Sequence, residues 1–327
     1  MDEHKPVLVE EVLEGLGLGA AAPAPSGAAA GGLYVDATFG RGGHTARILE
    51  HLPPTARLVA IDRDPQAIAA GARRFQSEPR VLVVRAAFGS LASLVAAHGE
   101  GRPCRGILFD LGVSSPQLDE AARGFSFQAD GPLDMRMDPA HGISAAQWLS
   151  RATADEIRDV IGKLGEERFA GRIARNIVEQ RALEPVETTS RLAQIVASAV
   201  PTRERGRNPA TRTFQALRMH VNDELGELAR GLDAAMQVLA PGGRLAVISF
   251  HSLEDRMVKQ FMRRHAQPDP EWAHLPVAPA FEPSLKLVGR KRRASDAEIH
   301  GNPRARSAIL RVAERLSGGT PSAGTRH

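Results

Sequence analysis

Cysteine is almost absent from this 327-residue chain. Its single Cys104 has no partner for an internal disulfide and fits a reducing compartment. No run of about 18 or more apolar residues occurs, so no membrane span is expected. The start, Met1-Asp2-Glu3-His4-Lys5-Pro6, is polar and lacks a signal-peptide core, which makes the cytoplasm the expected location. An excess of charge of one sign is missing too. The 42 Lys and Arg face 38 Asp and Glu, and a net +4 does not by itself imply a nucleic-acid partner. The eleven histidines show neither H-x-x-x-H nor paired-cysteine spacing, so no metal site is expected. No nucleophile motif supports a Ser-His-Asp arrangement, and no internal repeat is found.

What is present is an ordinary globular composition, 43% apolar and 24% charged, long enough for two domains or for one with a large insertion. The basic residues are unevenly spread. Arg203, Arg205, Arg207, Arg212 and Arg218 form one cluster, and Arg290-Lys291-Arg292-Arg293 with Arg304, Arg306, Arg311 and Arg315 form another. Either can hold phosphates or be a solvated face.

Four short apolar runs alternate with helical stretches: Leu33-Tyr34-Val35, Leu58 to Ile61, Val81 to Val84 and Ile107-Leu108-Phe109. Such a pattern predicts an α/β fold with buried parallel strands in a doubly wound sheet. From about Val113 to Arg212 the alternation stops. Thr153-Ala154-Asp155-Glu156 reads as a capping box with Gly165 closing its helix. Phe169, Ile173 and Ile177 mark a second helix, and Leu192, Ile195, Val196 and Ala199 a third that ends before Pro201. This is an all-helical insertion. Helical spacing then runs from Phe214 to Leu239, Pro241-Gly242-Gly243 turns the chain, Leu245 to Ile248 is a fifth strand, and Ile309 to Val312 is read as a last edge strand.

The chemistry gathers at strand ends. Val35-Asp36-Ala37-Thr38-Phe39-Gly40-Arg41-Gly42-Gly43-His44 places glycines between a strand and a helix, where a ligand can approach backbone or where a tight turn simply needs them. The spacing does not match G-x-G-x-x-G, so a dinucleotide fingerprint fits poorly. Asp62 ends the second strand, where a carboxylate can accept both hydroxyls of an adenosine ribose. It could instead cap the helix at Pro65, a task also open to Asp64. Phe88 can stack on an adenine and Asp110 can accept from an amine, although either could be core or cap. Four consecutive strand ends bearing such groups are hard to ascribe to chance. The turn Leu239 to Gly243 resembles one carried by many methyltransferases of this fold. Leu111-Gly112-Val113-Ser114-Ser115-Pro116-Gln117 occupies the place where amino-methylating enzymes keep a short polar-Pro motif.

Several stretches closely resemble one family: Thr38 through His44, Ala60 through Ile68, Asp110 through Gln117, Arg123 through Phe127, Asp130 through Asp138, Gly165 through Phe169, Pro209 through Arg218 and Ser249 through Asp255. It is the bacterial small-subunit ribosomal RNA N4-cytosine methyltransferase family, and the likeness runs from about Pro6 to Arg315. The resemblance implies a Rossmann-like class I methyltransferase domain interrupted by the helical insertion, and S-adenosylmethionine as cofactor. It implies N4-methylation of cytosine 1402 of 16S rRNA, in the decoding region of the small subunit, with the assembled subunit as the expected substrate. Cofactor contacts carried over by motif are Gly42, Gly43, His44, Asp62, Phe88, Asp110 and Gln117. One departure is Asn208, which precedes Pro209-Ala210-Thr211 where many members have His; it bears on that side chain's role, not on the reaction.

Polar and aromatic density in loops puts Ser114, Ser115, Asp134, Arg136, Asn208 and the Ser249-Phe250-His251 turn forward as the lining of the base pocket. Of these, Ser114, Ser115, Asp134, Asn208 and His251 are the catalytic candidates. Structural alternatives stand beside them. Ser252 could cap the next helix with Asp255, and Arg136 could pair with Asp138. The expected division is 1–113 for the first part of the methyltransferase domain, with 15–32 a flexible connection. Then come 114–211 for the insertion, 212–316 for the second part, and 317–327 as a disordered tail. A homodimer is left open and no membrane contact is expected. Without the resemblance, two other readings stay open, an NAD-dependent oxidoreductase and a non-catalytic RNA-binding protein.

Overall fold

The computed structural model describes residues 6–19, 31–201, 208–274, 277 and 279–318. Two compact units emerge, Met1–Gly112 with Glu227–His327, and Val113–Gly226. Among the described residues no helix is long and apolar enough to cross a membrane.

The first unit is built on one sheet. Strands β1 (Leu33–Asp36), β2 (Arg57–Asp62), β3 (Val81–Arg85), β4 (Cys104–Asp110) and β5 (Leu239–Ser249) run parallel in the order β3-β2-β1-β4-β5. Their connections include helices α2 (Gly43–His51), α3 (Pro65–Arg74) and α4 (Leu91–His98), and α11 (Glu224–Val238) leads into β5. The four apolar runs and the fifth strand predicted from sequence all form. In β1, β2, β4 and β5 the apolar character follows from burial on both faces, where Leu33, Leu58, Ile61, Ile107, Phe109 and Leu245 are wholly buried; β3, at the sheet edge, is only partly covered.

The predicted edge strand is not an edge. Strand β8 (Ile309–Arg315) lies antiparallel between β5 on one side and two short strands, β6 (Leu285–Leu287) and β7 (Arg292–Arg293), on the other. These strands escape sequence reading because they are three and two residues long and partly basic. Helices α1 (Val9–Gly15) and α13 (Asp296–Gly301) are likewise short additions that no periodicity announces. Helix α12 (Ser252–Ala266) follows β5. The proposed flexible connection over 15–32 needs revising at its start. Gly15 ends α1, Leu16 and Leu18 are buried, and Leu18 N–H donates to the Leu13 carbonyl at 2.7 Å. Its centre, 20–30, and all of the tail but Ser317 and Gly318 lie outside the described residues.

The second unit holds α5 (Ser115–Asp119), α6 (Ala145–Arg151), α7 (Ala154–Gly165), α8 (Ala170–Leu183), α9 (Thr189–Ala199) and α10 (Thr211–Val221). As expected, Thr153 and Glu156 form a capping box at α7, and α9 stops before Pro201. The boundary expected at 211/212 moves to Gly226, because Phe214 and Leu217 of α10 join Ile157, Ile161 and Ile173 in this unit's core. The helical spacing from Phe214 to Leu239 also conceals a break. Asn222 leaves the helix to donate to the Met135 carbonyl at 2.7 Å and accept from Met137 N–H at 2.8 Å, and Asp223 takes φ 47°. Periodicity counts apolar positions and does not register such a polar tie.

Candidate functional site at the sheet's carboxyl edge

Parallel strands deliver their carboxyl ends to one edge, so the residues closing β1, β2 and β4 become neighbours. Asp36 ends β1 and is 1% exposed. Its Oδ2 accepts from Thr45 Oγ1 of α2 at 2.7 Å and its Oδ1 from Thr38 N–H at 3.2 Å. Burial raises its pKa, the hydrogen bonds opposing. Thr38 Oγ1 in turn accepts from Asp110 N–H at 2.6 Å, tying the ends of β1 and β4 together. Asp36 and Thr38 stand in the glycine-loop stretch quoted above but are given no role there. An acidic residue closing the first strand ahead of the glycine loop was the available signal.

The glycine loop is fixed from two sides. Phe39 N–H donates to the Ile61 carbonyl at 2.8 Å, and Gly40 N–H donates to Asp62 Oδ2 at 2.8 Å. Gly42 caps α2 with φ 73°, a conformation that costs a side-chain-bearing residue. A Cβ there would sit 2.7 Å from the Phe39 ring, and one on Gly43 would sit 3.1 Å from Pro6. Gly42 is therefore demanded by the turn and by the Phe39 ring, the structural alternative left open by sequence, while Gly43 packs tightly against Pro6.

Asp62 is the second anchor. Its Oδ1 accepts from Asp64 N–H at 2.8 Å. Burial pushes its carboxyl up to about 6, against the two backbone donors. It does not cap α3. That task falls to Asp64, which accepts from Gln66 N–H at 2.9 Å. Each Asp62 oxygen keeps a further lone pair for a ligand hydroxyl. Phe88, in the turn after β3, is half-buried, with its ring edge-to-face on Phe109 at 5.3 Å between centroids.

Asp110 and His44 complete the group. His44 Nε2 lies 3.4 Å from Asp110 Oδ2 but is not aligned for a hydrogen bond. Burial opposes charge on His44, but the carboxylates of Asp110, Asp36 and Glu298 outweigh it and raise its pKa. His44 Nε2 and Asp110 Oδ1 are both shielded from solvent and have no hydrogen-bond partner among the described residues. Buried polar atoms are rarely left so, and a ligand carrying a donor or acceptor would satisfy them.

A family model for the MraW methylase family matches residues 1–316. The chain belongs to the MraW methylase family. It is 53% identical over 321 residues to ribosomal RNA small subunit methyltransferase H of Xanthomonas euvesicatoria pv. vesicatoria, covering 98% of this chain and 91% of that one. It is 55% identical over 316 residues to the protein of the same name from Thioalkalivibrio sulfidiphilus, covering 96% and 98%. Among solved structures, the N-methyltransferase NodS of Bradyrhizobium japonicum aligns with a TM-score of 0.40 at 10% identity over 96% of this chain and 89% of that one.

The methyl donor is S-adenosylmethionine. The sheet edge fits its adenosyl half. The carboxylate of Asp62 offers acceptors for ribose hydroxyls, the unpartnered Asp110 Oδ1 offers one for an amine, and the half-buried Phe88 offers an aromatic surface.

The other sequence candidates are held by local bonds. Gln117 Oε1 accepts from Ser114 N–H at 3.0 Å, a capping box at the start of α5, and Ser115 and Gln117 are buried. Asp134 takes both arms of Arg136, at 2.7 and 2.8 Å. Burial would raise the Asp134 pKa, but those bonds hold it below the ordinary range. Asp138 meets His141 at 2.9 Å and adds its charge to that of Asp134 around Arg136. The exposed Asn208 turns its Oδ1 to Ala210 N–H at 2.9 Å, shaping the entry to α10. In the sheet unit His251, not Ser252, caps α12, with Glu254 rather than Asp255 completing the box. Its Nδ1 accepts from Glu254 N–H at 3.4 Å, so a neutral ring carries its proton on Nε2. That Nε2 lies 3.0 Å from Glu254 Oε1 without hydrogen-bond geometry.

The basic clusters also divide. Arg218 is bidentate with Glu224 at 2.8 Å and Arg212 lies 3.7 Å from Glu167, while Arg203, Arg205 and Arg207 fall outside the described residues. Arg311 is bidentate with Asp255 at 2.7 and 3.0 Å, and Arg292 pairs with Glu14. Arg290, Lys291, Arg293, Arg304 and Arg306 are exposed.

Proposed function

We propose that this chain transfers the methyl group of S-adenosylmethionine to the N4 amine of a cytosine in small-subunit ribosomal RNA, cytosine 1402 in the conventional 16S numbering, with the assembled subunit as its substrate. Supporting this are the family membership, the relatives' names and the motifs from Thr38 to Asp255. The observation that carries it is the pair of buried atoms, Asp110 Oδ1 and His44 Nε2, that lack a hydrogen bond among the described residues beside the loop that Asp62 holds.

In this reading Gly42, Gly43 and His44 form the loop under the cofactor, Asp62 receives the ribose and Asp110 the adenine amine. Phe88 stacks on the base. Gln117 contributes through the α5 cap. S-adenosylmethionine supplies an electrophilic methyl group on a sulfonium. The chain's task is orientation, which can provide about 7–11 kcal/mol in favourable cases. The cytosine amine's lone pair is delocalised into its ring, and acceptors that hold its hydrogens localise it toward the methyl group. Ser114, Ser115, Asp134, Asn208 and His251 are the residues proposed to act on the cytosine. His251 is the strongest of them, because its Nε2 is buried and lacks a hydrogen bond among the described residues. The target base must leave its stack to reach such a site.

The test is incubation with labelled S-adenosylmethionine and unmethylated small subunits, in parallel with naked RNA, followed by mass spectrometry of the modified nucleotide. Label on the N4 of cytosine 1402 in subunits alone is the expected result. Label on another atom, or in naked RNA equally, would overturn the corresponding part of the reading.

A further inference from the structure

The first described residues and an element near the far end of the chain meet at the glycine loop. Leu8 N–H donates to Glu298 Oε1 of α13 at 2.7 Å, across 290 residues of sequence. Leu8 is wholly buried and holds φ 57°, ψ 38°, the left-handed region that side-chain-bearing residues avoid. Such a conformation persists only where its surroundings enforce it, and strained residues gather at functional sites. Here the enforcing group is a carboxylate on the strained residue's own N–H. Two residues earlier, Pro6 sits against Gly43, close enough that a Cβ on Gly43 would come within 3.1 Å. Gly43 opens α2 and His44 follows it.

The turn over residues 6–8 is anchored beyond itself. Val12 N–H donates to the Leu8 carbonyl at 2.9 Å, starting α1. The far end of α1 is gripped by Arg292, paired with Glu14, and by Arg244, whose guanidinium donates to the Glu14 and Gly15 carbonyls at 3.3 Å. Glu298 is itself set by α13: its N–H donates to Ser295 Oγ at 3.2 Å and its carbonyl accepts from Asn302 N–H at 2.7 Å.

We infer that Glu298 is a positioning residue for cofactor binding, fastening the Pro6–Leu8 turn as a strap against Gly43 and so fixing the start of α2. This rests on the reading that the loop of Gly42 to His44, with Asp62 and Asp110, holds the cofactor. The strap gives a purpose to three features the reaction leaves unused: a left-handed Leu, a carboxylate spent on one backbone N–H, and a proline filling the space beside a glycine. Glu298 also acts on His44 by charge, together with Asp110 and Asp36, the other acidic groups facing that ring.

The test uses the full chain and S-adenosylhomocysteine, with affinity measured calorimetrically and the His44 ring followed by NMR titration. Glu298→Ala removes the acceptor, and affinity should fall about 10-fold, the scale of one hydrogen bond to a charged group. Glu298→Gln keeps an acceptor for Leu8 N–H and should bind within about threefold of the unaltered chain. Both variants lose the negative charge, so the His44 midpoint should move to lower pH in each. A role confined to stability would not separate affinity from titration in this way. Asp62→Ala serves as the control for the site itself. Should Asp62→Ala lose binding while Glu298→Ala binds normally, the strap is overturned and the site stands. Should Asp62→Ala also bind normally, the site reading fails. Equal weakening by Ala and Gln, or an unmoved His44 midpoint in the Gln variant, would likewise overturn the role given to Glu298.

Discussion

The two units treat their candidate polar residues in opposite ways. In the helical unit the side chains bond locally: Gln117 to Ser114 N–H, Asp134 to Arg136, Asn208 to Ala210 N–H, Asn222 to Met135 and Met137. In the sheet unit Asp36, Asp62 and Thr38 are bonded, but they hold up a pair, Asp110 and His44, that keeps buried atoms without partners. Leaving a buried acceptor unsatisfied costs about 1–3 kcal/mol. Other buried atoms in both units share that cost, Thr213 Oγ1 and Arg191 Nε in the helical unit among them, but only at this sheet edge do two such atoms stand side by side on neighbouring motif residues. Similar residue types thus do different work: in one unit they shape loops, in the other they wait for a partner.

The sharpest way to break this contrast is to remove Asp62. Asp62→Ala takes away the acceptor proposed for two ribose hydroxyls along with the bond to Gly40 N–H. With each hydrogen bond to a charged group contributing about 1.5–3 kcal/mol, affinity for S-adenosylhomocysteine should fall about 100-fold or more. Calorimetry measures it, and circular dichroism confirms that the variant is folded. A loss under threefold would mean that the carboxylate serves the loop alone.

The complementary variant lies in the helical unit. Asn222 is 4% exposed and joins the loop at Met135 and Met137 to the end of α10. Asn222→Ala strands the buried Met137 N–H and Met135 carbonyl, at a cost of about 2–3 kcal/mol in unfolding free energy. Denaturant titration should record that loss while S-adenosylhomocysteine affinity stays within about twofold. Equal damage to affinity would erase the distinction between the units.

The same contrast governs what could be read from sequence. Strands β1, β2, β4 and β5 were legible because burial on both faces forces continuous apolar runs, and α7 to α9 because their faces repeat at helical spacing. Short polar connections carry no such signature. That is why β6, β7, α1 and α13 went unseen and why the break at Asn222 was hidden inside an apolar period. At the site, Asp62, Asp110, Phe88 and His44 could be proposed from strand ends and motif. Sequence could not tell which of two nearby polar residues caps a helix. Asp64 and not Asp62 caps α3, while His251 and not Ser252 caps α12. Both choices depend on backbone angles one or two residues apart. The Leu8–Glu298 tie spans nearly the whole chain and has no local trace at all.

A smaller effect follows from the burial of Asp62. Its pKa of about 6 lies above the ordinary 3.8. For folding, the sign is that the native state holds this proton more tightly than the unfolded chain. The contribution of Asp62 to stability is therefore most favourable below pH 3.8, declines as pH rises toward about 6, and is flat above. Ligand binding has the opposite sense, because ribose hydroxyls donate to the ionised carboxylate. Affinity for S-adenosylhomocysteine should therefore rise about 10-fold from pH 5 to pH 7, with its midpoint near 6, and Asp62→Asn should abolish that inflection. A midpoint near 4 would show the carboxylate to be better solvated than its burial implies.

The smallest expected effect concerns the arginines, and it carries the contrast between engaged and unengaged groups to the surface. Arg218 and Arg311 are committed to bidentate carboxylates, so neither has its guanidinium fork to offer a phosphate without breaking an internal pair. Arg290, Lys291 and Arg293 are exposed on the segment around β7. If they bind RNA, replacing all three with Ala should flatten the plot of log affinity against log salt by about 0.7–0.9 for each phosphate no longer neutralised. Filter binding to small subunits over a range of salt concentrations measures the slope. Arg311→Ala should leave that slope unchanged and instead lower the melting temperature, because it strands Asp255, which is 18% exposed, without its partner. If the slope responds to Arg311 and not to the exposed three, engagement within the fold is no guide to what the surface offers RNA, and the rule drawn from the two units would end at the protein's interior.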